Sequence, residues 1–237
     1  MKISSNTLFH FTSQLNFLVD ILDKGFWPRY CKEYGWGNKY IDFAAPMVCF
    51  CDIPLSLIEE HTRFYGGYGI GVKRKWVTDY KTITPVQYVS TSSYEFKTVN
   101  RLLTKLKNND IDDTGINKLL LVKKVSGKAI DKNKNVKPKK FYDEREWRHL
   151  PDTISKNDLI IPIEKNADFD PNISSRITEN HRLKIDIDSI NYLLIPDEFK
   201  RLEMINHIRR IYQNYSDEKQ LTLISKILTI KQILNDF

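Results

Sequence analysis

The chain has 237 residues, 41% hydrophobic and 28% charged, which is typical of a globular protein and excludes a disordered or fibrous one. Three cysteines cannot complete a set of disulfides, no leader segment precedes Leu8, and no apolar run reaches the roughly 20 residues of a membrane helix. These features favour a cytoplasmic protein without a membrane partner, and the net charge of +7 favours contact with something acidic.

The first predicted elements are a strand and a helix. Leu8–Thr12 alternates apolar and polar residues, which predicts the strand. The helix that follows is expected to be capped by Thr12 or Ser13 and to end at Gly25. Pro46–Cys51 is short, apolar and bounded by prolines, so it predicts a buried strand.

A second helix and strand follow along the chain. Ser56 and Glu59 have the spacing of a capping box and predict the helix start, and Gly66 and Gly67 predict its end. Tyr68–Trp76 predicts the strand. Further strands are predicted at Leu159–Ile163, Leu183–Ile187 and Tyr192–Ile195, and further helices through Val99–Leu106, Phe199–Ile211 and Leu221–Leu228.

The order of these elements predicts an α+β fold with a split, mostly antiparallel sheet and flanking helices. Residues 1–195 are expected to form the core domain. Residues 196–237 are expected to form a helical C-terminal extension packed on that core.

Basic residues crowd the segment Lys123–Lys140, with few acidic residues between them. One interpretation is a solvated loop, and the other is a segment that follows the phosphates of a nucleic acid.

Metal chemistry is a weaker hypothesis. Cys31, Cys49 and Cys51 could join His10 or His61 in a zinc site, but the sequence has no Cys-x-x-Cys pair, and no metal site is predicted. A nuclease would need clustered carboxylates, for which the nearest candidates are Asp110, Asp112 and Asp113 in a polar, loop-like run.

A three-part pattern carries the favoured chemistry. His10 lies in the first strand, Tyr65 and Tyr68 flank a glycine-bracketed bend, and Glu144 and Glu146 alternate in the segment DEREWR. In an extended conformation the two glutamates would point the same way. Each residue also has a structural interpretation. The histidine and tyrosines could be core residues, and the glutamates could be ion-paired with Arg145, Arg148 or the lysines.

The motifs FHFT, CFCDIPLS, YGGYGIGVKRKW and FYDEREWR resemble the AbiGi-type abortive-infection proteins of bacteria, over roughly Leu8 to Leu150. This resemblance implies phage defence within a two-component module of the toxin–antitoxin kind, and therefore a cognate toxin or antitoxin as partner.

The same order of elements is similar, more distantly, to the ADP-ribosyltransferase fold, which implies NAD as the cofactor. His10 would then hydrogen-bond a ribose, with Thr12 beside it, and Tyr68 or Tyr65 would stack on the nicotinamide. The middle motif lacks the Ser-Thr-Ser triplet of one branch of that fold.

The late glutamates complete the implied catalytic site. Glu146 would stabilise the positive charge that develops as nicotinamide leaves, and Glu144 would orient the acceptor, a protein or a nucleic acid. The alternative function is a non-catalytic antitoxin or sensor that binds a partner through the basic segment and the C-terminal helices.

Overall fold

The computed structural model describes residues 5–33, 42–130, 133, 135–152, 154–163 and 171–236. The strands within these ranges are β1 (Thr7–Thr12), β2 (Arg29–Glu33), β3 (Asp42–Cys51), β4 (Tyr68–Lys73), β5 (Ile83–Pro85), β6 (Gln87–Val89), β7 (Val122–Lys124), β8 (Gly127–Ile130), β9 (Val136–Lys139), β10 (Glu146–His149), β11 (Ile161–Ile163), β12 (Ile190–Ile195) and β13 (Ile227–Thr229). The α-helices there are α1 (Leu15–Lys24), α2 (Glu59–Tyr65), α3 (Arg74–Asp79), α4 (Tyr94–Lys107), α5 (Asp113–Leu120), α6 (Lys156–Leu159), α7 (Arg201–Ile211), α8 (Asp217–Ile224) and α9 (Ile230–Asp236).

Nine of the described strands form one sheet. Seven follow the order β13-β12-β4-β1-β3-β10-β5, and β2 and β11 also pair with β3. Neighbours in this sheet run antiparallel except β12 and β13, which are parallel. Strands β6 and β7 form a separate parallel pair, and β8 and β9 form an antiparallel pair. The prediction of a mixed α+β chain with a mostly antiparallel sheet is confirmed.

Strand β3 changes neighbours along its length. From Phe43 to Met47 it pairs with β2, and within the described strands it meets β1 at the single pair of Phe9 with Cys51. Between these stretches the carbonyl oxygen of Cys49 accepts a hydrogen bond from Nδ1 of His10 at 2.9 Å. On this edge of β3 the His10 side chain thus takes the place of a neighbouring strand, whereas β10 pairs with the opposite edge. The sheet is therefore split between β1 and β2.

Two main hydrophobic clusters fix the helices on the sheet. The first packs α1, α3, α7 and α8 against β1, β4 and β12, and the second packs α4 and α5 against β3. Within the described ranges, no helix combines the length and the hydropathy required to cross a membrane.

The predicted helix ends are right at the glycines and wrong at the caps. Gly25 and Gly66 follow α1 and α2 at φ angles of 92° and 128°, which favour glycine. The residue before α1 is Gln14, which makes no capping bond with its side chain, so Thr12 and Ser13 do not cap it. Ser56 lies in a 3-10 turn, Leu55–Leu57, two residues too early to cap α2.

The C-terminal region differs from the prediction. Ile227 and Leu228, expected in a helix, lie in β13 and pair with Leu193 and Leu194 of β12. Residues 196–237 therefore contribute a strand to the main sheet as well as helices. The division of the chain at residue 195 remains a prediction, and Met1–Ser4 lie outside the described residues.

Candidate functional site

A cavity of about 610 Å³ lies at the split in the sheet. Its walls include residues of β1, α1, β2, β3, α2, β7, β8 and β10. Five of the six residues predicted to form the site line it, namely His10, Thr12, Tyr65, Glu144 and Glu146. The cavity therefore brings together side chains that are up to 136 positions apart, from His10 to Glu146.

Tyr68 is not among the described residues that line the cavity. It pairs with Thr12 across β4 and β1, but its ring belongs to the hydrophobic cluster that contains α1 and α7. Ile70 and Val72 belong to the same cluster, as expected for alternate residues of one strand. Of the two tyrosines predicted from the sequence, the structure therefore places Tyr65 at the cavity and Tyr68 in the hydrophobic core.

The ring of His10 is held in one orientation. Its Nδ1 donates to the Cys49 carbonyl, and the ring contacts Phe26 and Phe50 edge-on at centroid distances of 5.4 Å and 6.0 Å. Burial lowers the pKa of His10, which outweighs the opposing effect of the Cys49 hydrogen bond. The neutral ring therefore carries its proton on Nδ1, because a carbonyl can only accept, and Nε2 is left as an acceptor.

Glu146 is a buried carboxylate between two cations. Its Oε1 accepts from Nε of Arg148 at 2.8 Å, and its Oε2 accepts from Nζ of Lys123 at 2.6 Å. Burial alone would raise the pKa of Glu146, but Arg148 and Lys123 hold it well below its usual range. The carboxylate is therefore ionised at neutral pH.

Arg148 is fully buried beneath this carboxylate. Its remaining donors bond the carbonyl oxygen of Leu120 at 2.7 Å and the carboxylate of Glu33. Burial acts to lower the pKa of Arg148, but Glu146 and Glu33 raise it overall. The ion pairing that the sequence left open for Glu146 is thus realised with Arg148.

Glu144 reaches the same place by a different backbone path. It ends a 3-10 turn, and Arg145 follows at a φ of 46°, so the extended conformation predicted for Glu144 and Glu146 is wrong. The Glu144 carboxylate nevertheless lies 2.8 Å from Nζ of Lys139 and 3.6 Å from Nζ of Lys123. Tyr65 donates its hydroxyl hydrogen to the same carboxylate.

Lys139 is held by charge and by aromatic faces. Its ammonium group lies 3.7 Å from the centroid of Phe64 and 4.2 Å from that of Tyr65, and it pairs with Glu144 without the angle of a directed hydrogen bond. Lys123 and Lys139 thus belong to the interior. The interpretation of Lys123–Lys140 as a solvated loop is wrong for these two residues, and Asp131, Lys132 and Lys134 lie outside the described residues.

The sequence analysis considered Arg148 and the lysines as ion-pair partners of the glutamates but did not place them in the site. A usable signal existed for Arg148, because it lies two positions after Glu146 in a strand and must share its face. The register confirms this, since Glu146 and Arg148 pair with Cys51 and Cys49 of β3. No signal pointed to Lys139, whose burial depends on the β8–β9 hairpin folding against α2.

The sequence also offered candidate residues for a metal site and for a nuclease. Within the described part of the chain, no group of three or more His, Cys, Asp or Glu side chains is arranged to hold a metal ion. Asp112 caps α5, accepting from the backbone N–H of Gly115 at 2.8 Å. This accounts for one of the three carboxylates considered for a nuclease.

The sequence was compared with known protein families. Residues 24–196 match the family described as "Putative abortive phage resistance protein AbiGi, antitoxin". The chain belongs to the AbiGi family. The "Abortive phage resistance protein AbiGi" of Lactococcus lactis subsp. cremoris is 27% identical over 227 residues, which cover 83% of this chain and 90% of that protein.

The AbiGi match and the cavity overlap only in part. Tyr65, Glu144 and Glu146 lie within the matched residues, whereas His10 and Thr12 precede them. The match extends beyond the resemblance seen in the sequence motifs, which ended near Leu150, and includes β12. No solved structure matches this AbiGi chain.

Proposed function

We propose that this abortive phage resistance protein binds NAD in the cavity and transfers its ADP-ribose unit to a protein or a nucleic acid. The observation that carries the proposal is the convergence of His10, Thr12, Tyr65, Glu144 and Glu146 on one cavity of about 610 Å³. Its volume lies within the range of about 300–1,000 Å³ that is typical of small-molecule sites.

The residues that line the cavity support NAD as the ligand. Arg29, Lys32, Lys124 and Lys128 line it and give positive charge for a diphosphate. Nε2 of His10 is available to accept from a ribose hydroxyl, and Tyr65 offers an aromatic ring for the nicotinamide.

The reaction requires a carboxylate that stays ionised. When the bond between C1′ of the ribose and nicotinamide breaks, the electron pair leaves with nicotinamide and positive charge develops on the ribose. The acceptor then bonds to C1′ and loses a proton. Glu146 is ionised at neutral pH, and its Oε1, which accepts from Nε of Arg148, has a second lone pair for a ribose hydroxyl. Glu144, close to Tyr65, would orient the acceptor.

The test is the release of nicotinamide from NAD and the transfer of labelled ADP-ribose, by the purified protein alone and with cell extract. The variant Glu146→Gln/Lys123→Met removes one anion and one cation from the buried ion pairs, so the charges that remain are still balanced. These are Arg148 and Lys139 with Glu33 and Glu144. We expect it to lower the rate by about 10²–10³-fold, the usual cost of losing one electrostatic contact in a transition state.

The matched control is Asp188→Asn/Lys219→Gln, which removes an exposed ion pair remote from the cavity and should leave the rate unchanged. A rate within threefold of the wild type in the Glu146→Gln/Lys123→Met protein would refute the assignment.

A second candidate is a non-catalytic antitoxin that binds a cognate toxin. It is favoured by the pairing of both Glu146 oxygens with cations, which reduces the negative charge offered to a reacting ribose. The family description includes the word antitoxin. This candidate predicts that the Glu146→Gln/Lys123→Met variant still protects cells from the toxin and that the wild type consumes no NAD.

A further inference from the structure

The cavity contains buried polar atoms that the protein itself leaves without partners. Within the part of the chain that the structure describes, Nδ1 and Nε2 of His61 and Oγ1 of Thr12 have no hydrogen-bond partner. His61 is 5% exposed, Thr12 is 8% exposed, and both line the cavity. Leaving such groups unpaired costs free energy, so a ligand that pairs with them would regain it.

His61 is fixed beside aromatic surfaces. It lies on α2 four positions before Tyr65, on the same face of the helix, with 6.1 Å between the ring centroids. The ring of Phe11 in β1 also lies near His61, with 6.0 Å between the ring centroids. A flat ring that entered next to Tyr65 would therefore lie close to the His61 ring.

His61 is an uncharged group at neutral pH. Burial lowers its pKa to about 4, although Glu144 acts in the opposite direction. A neutral imidazole has one donor and one acceptor, and the Thr12 hydroxyl can do either. Together they match a primary carboxamide, which has a carbonyl acceptor and an NH₂ donor. A carboxylate could accept from the imidazole N–H and from the Thr12 hydroxyl, but it cannot donate to the second imidazole nitrogen, which would stay unpaired.

We propose that His61 and Thr12 recognise the uncharged carboxamide of a flat aromatic ring seated against Tyr65. The proposal rests on the proposed function, since nicotinamide is the part of NAD with this chemistry. It adds a residue that the sequence pattern did not assign, and it predicts that the site distinguishes an amide from the corresponding acid.

The test is isothermal titration at neutral pH with three probes: nicotinamide, nicotinic acid and ADP-ribose. For the wild type we expect nicotinamide to bind at least about tenfold more tightly than nicotinic acid. His61→Phe should weaken nicotinamide binding at least about tenfold, which corresponds to 1.4 kcal/mol. His61→Gln keeps a donor and an acceptor and should stay within threefold of the wild type.

Thr12 is tested by the pair Thr12→Val and Thr12→Ser, of which only the valine variant should weaken nicotinamide binding. ADP-ribose lacks nicotinamide, so its affinity should be unchanged in His61→Phe and His61→Gln, which also verifies that these two variants are folded. If the wild type does not bind ADP-ribose, the proposed function fails. If ADP-ribose binds but nicotinamide does not, or binds no better than nicotinic acid, or is unaffected by His61→Phe, the carboxamide site alone is overturned.

Discussion

Individual residues of the buried cluster depend on one another for their charge. Arg148, Lys123 and Lys139 face Glu33, Glu144 and Glu146, so three cations balance three anions. Removing one member of a buried ion pair leaves its partner charged without compensation, which costs more than removing both. Each glutamate therefore has a structural role whatever its chemical role.

The single substitution Glu146→Gln is expected to destabilise the fold. Lys123 and Arg148 would lose their shared carboxylate, at a cost of about 3–5 kcal/mol in the free energy of unfolding. Urea denaturation measures this value, and the double variant Glu146→Gln/Lys123→Met should recover part of the loss. A single variant as stable as the wild type would contradict the structural role of Glu146.

A second expectation concerns the pH dependence of stability. Burial lowers the pKa of His61 to about 4 from 6.5, so the unfolded chain binds more protons than the folded one between these values. The contribution of His61 is complete above pH 6.5 and is lost as the pH falls towards 4. By linkage it amounts to about 2 kcal/mol between pH 8 and pH 5.

His149 has a similarly lowered pKa, about 4, and should behave in the same way. The test is urea denaturation of the wild type and of His61→Phe at pH 8 and at pH 5. The decrease in the free energy of unfolding between these pH values should be smaller in His61→Phe by the contribution of His61, about 2 kcal/mol. An unchanged loss would mean that His61 is not buried in its neutral form.

At the scale of elements, the cavity exists because β1 and β2 pair with different stretches of β3. Strands β1, β3, β4 and β12 and the glycines at the ends of α1 and α2 were readable from sequence, since they depend on local periodicity and on φ angles that favour glycine. The predicted strand Leu183–Ile187 is wrong, because Leu183 forms an isolated bridge with Phe26 and Ile187 begins a 3-10 turn. The split in the sheet could not be predicted from the sequence. It depends on which strands meet at Cys51 and on the contact of His10 with Cys49, more than 35 positions away.

The site was predictable to a similar extent. His10 and Thr12 share one strand, and Glu144 and Glu146 share one motif, so local sequence grouped each pair. The choice of Tyr65 over Tyr68 required knowing which face of β4 is covered by α1 and α7, and this is a property of tertiary packing.

The junction of α2 with β1 gives a prediction for Gly66. It has a φ of 128°, and a Cβ atom there would lie 2.4 Å from both the Thr12 carbonyl oxygen and the Ser13 Cα. Gly66→Ala should therefore lower the free energy of unfolding by more than about 1 kcal/mol and weaken ligand binding, because the end of β1 must move.

Gly67→Ala is the control for this substitution. A Cβ at Gly67 would be nearest to a side-chain atom, Cγ of Pro196, at 3.3 Å, and should be tolerated far better. Thermal unfolding of both variants measures the difference, and equal losses would contradict the proposed close contact.

At the scale of the whole molecule, the C-terminal region is part of the main sheet. Strand β13 pairs with β12, while Met204, Ile208 and Leu223 are buried in the same cluster as residues of α1 and β4. The core domain and the C-terminal extension are therefore expected to unfold together, although the sequence suggested an appended helical segment.

Ile227 tests this expectation. It is 3% exposed in β13, so Ile227→Ala should lower the free energy of unfolding by about 2–5 kcal/mol in one cooperative transition. Leu221→Ala, at a position that is 57% exposed, should change it by less than about 0.5 kcal/mol. A separate early transition in the Ile227→Ala protein would instead indicate an independent C-terminal unit.

The walls of the cavity come from chain segments between Phe9 and Glu146 that meet only in the folded state. Any ligand that fills the cavity must therefore shift the folding equilibrium of the entire protein as well as occupy a site. At a free concentration of one hundred times its dissociation constant, the shift is about 2.7 kcal/mol. The melting temperature thus reports cavity occupancy for ligands of unknown identity, and a compound library can be screened without an assay for the reaction.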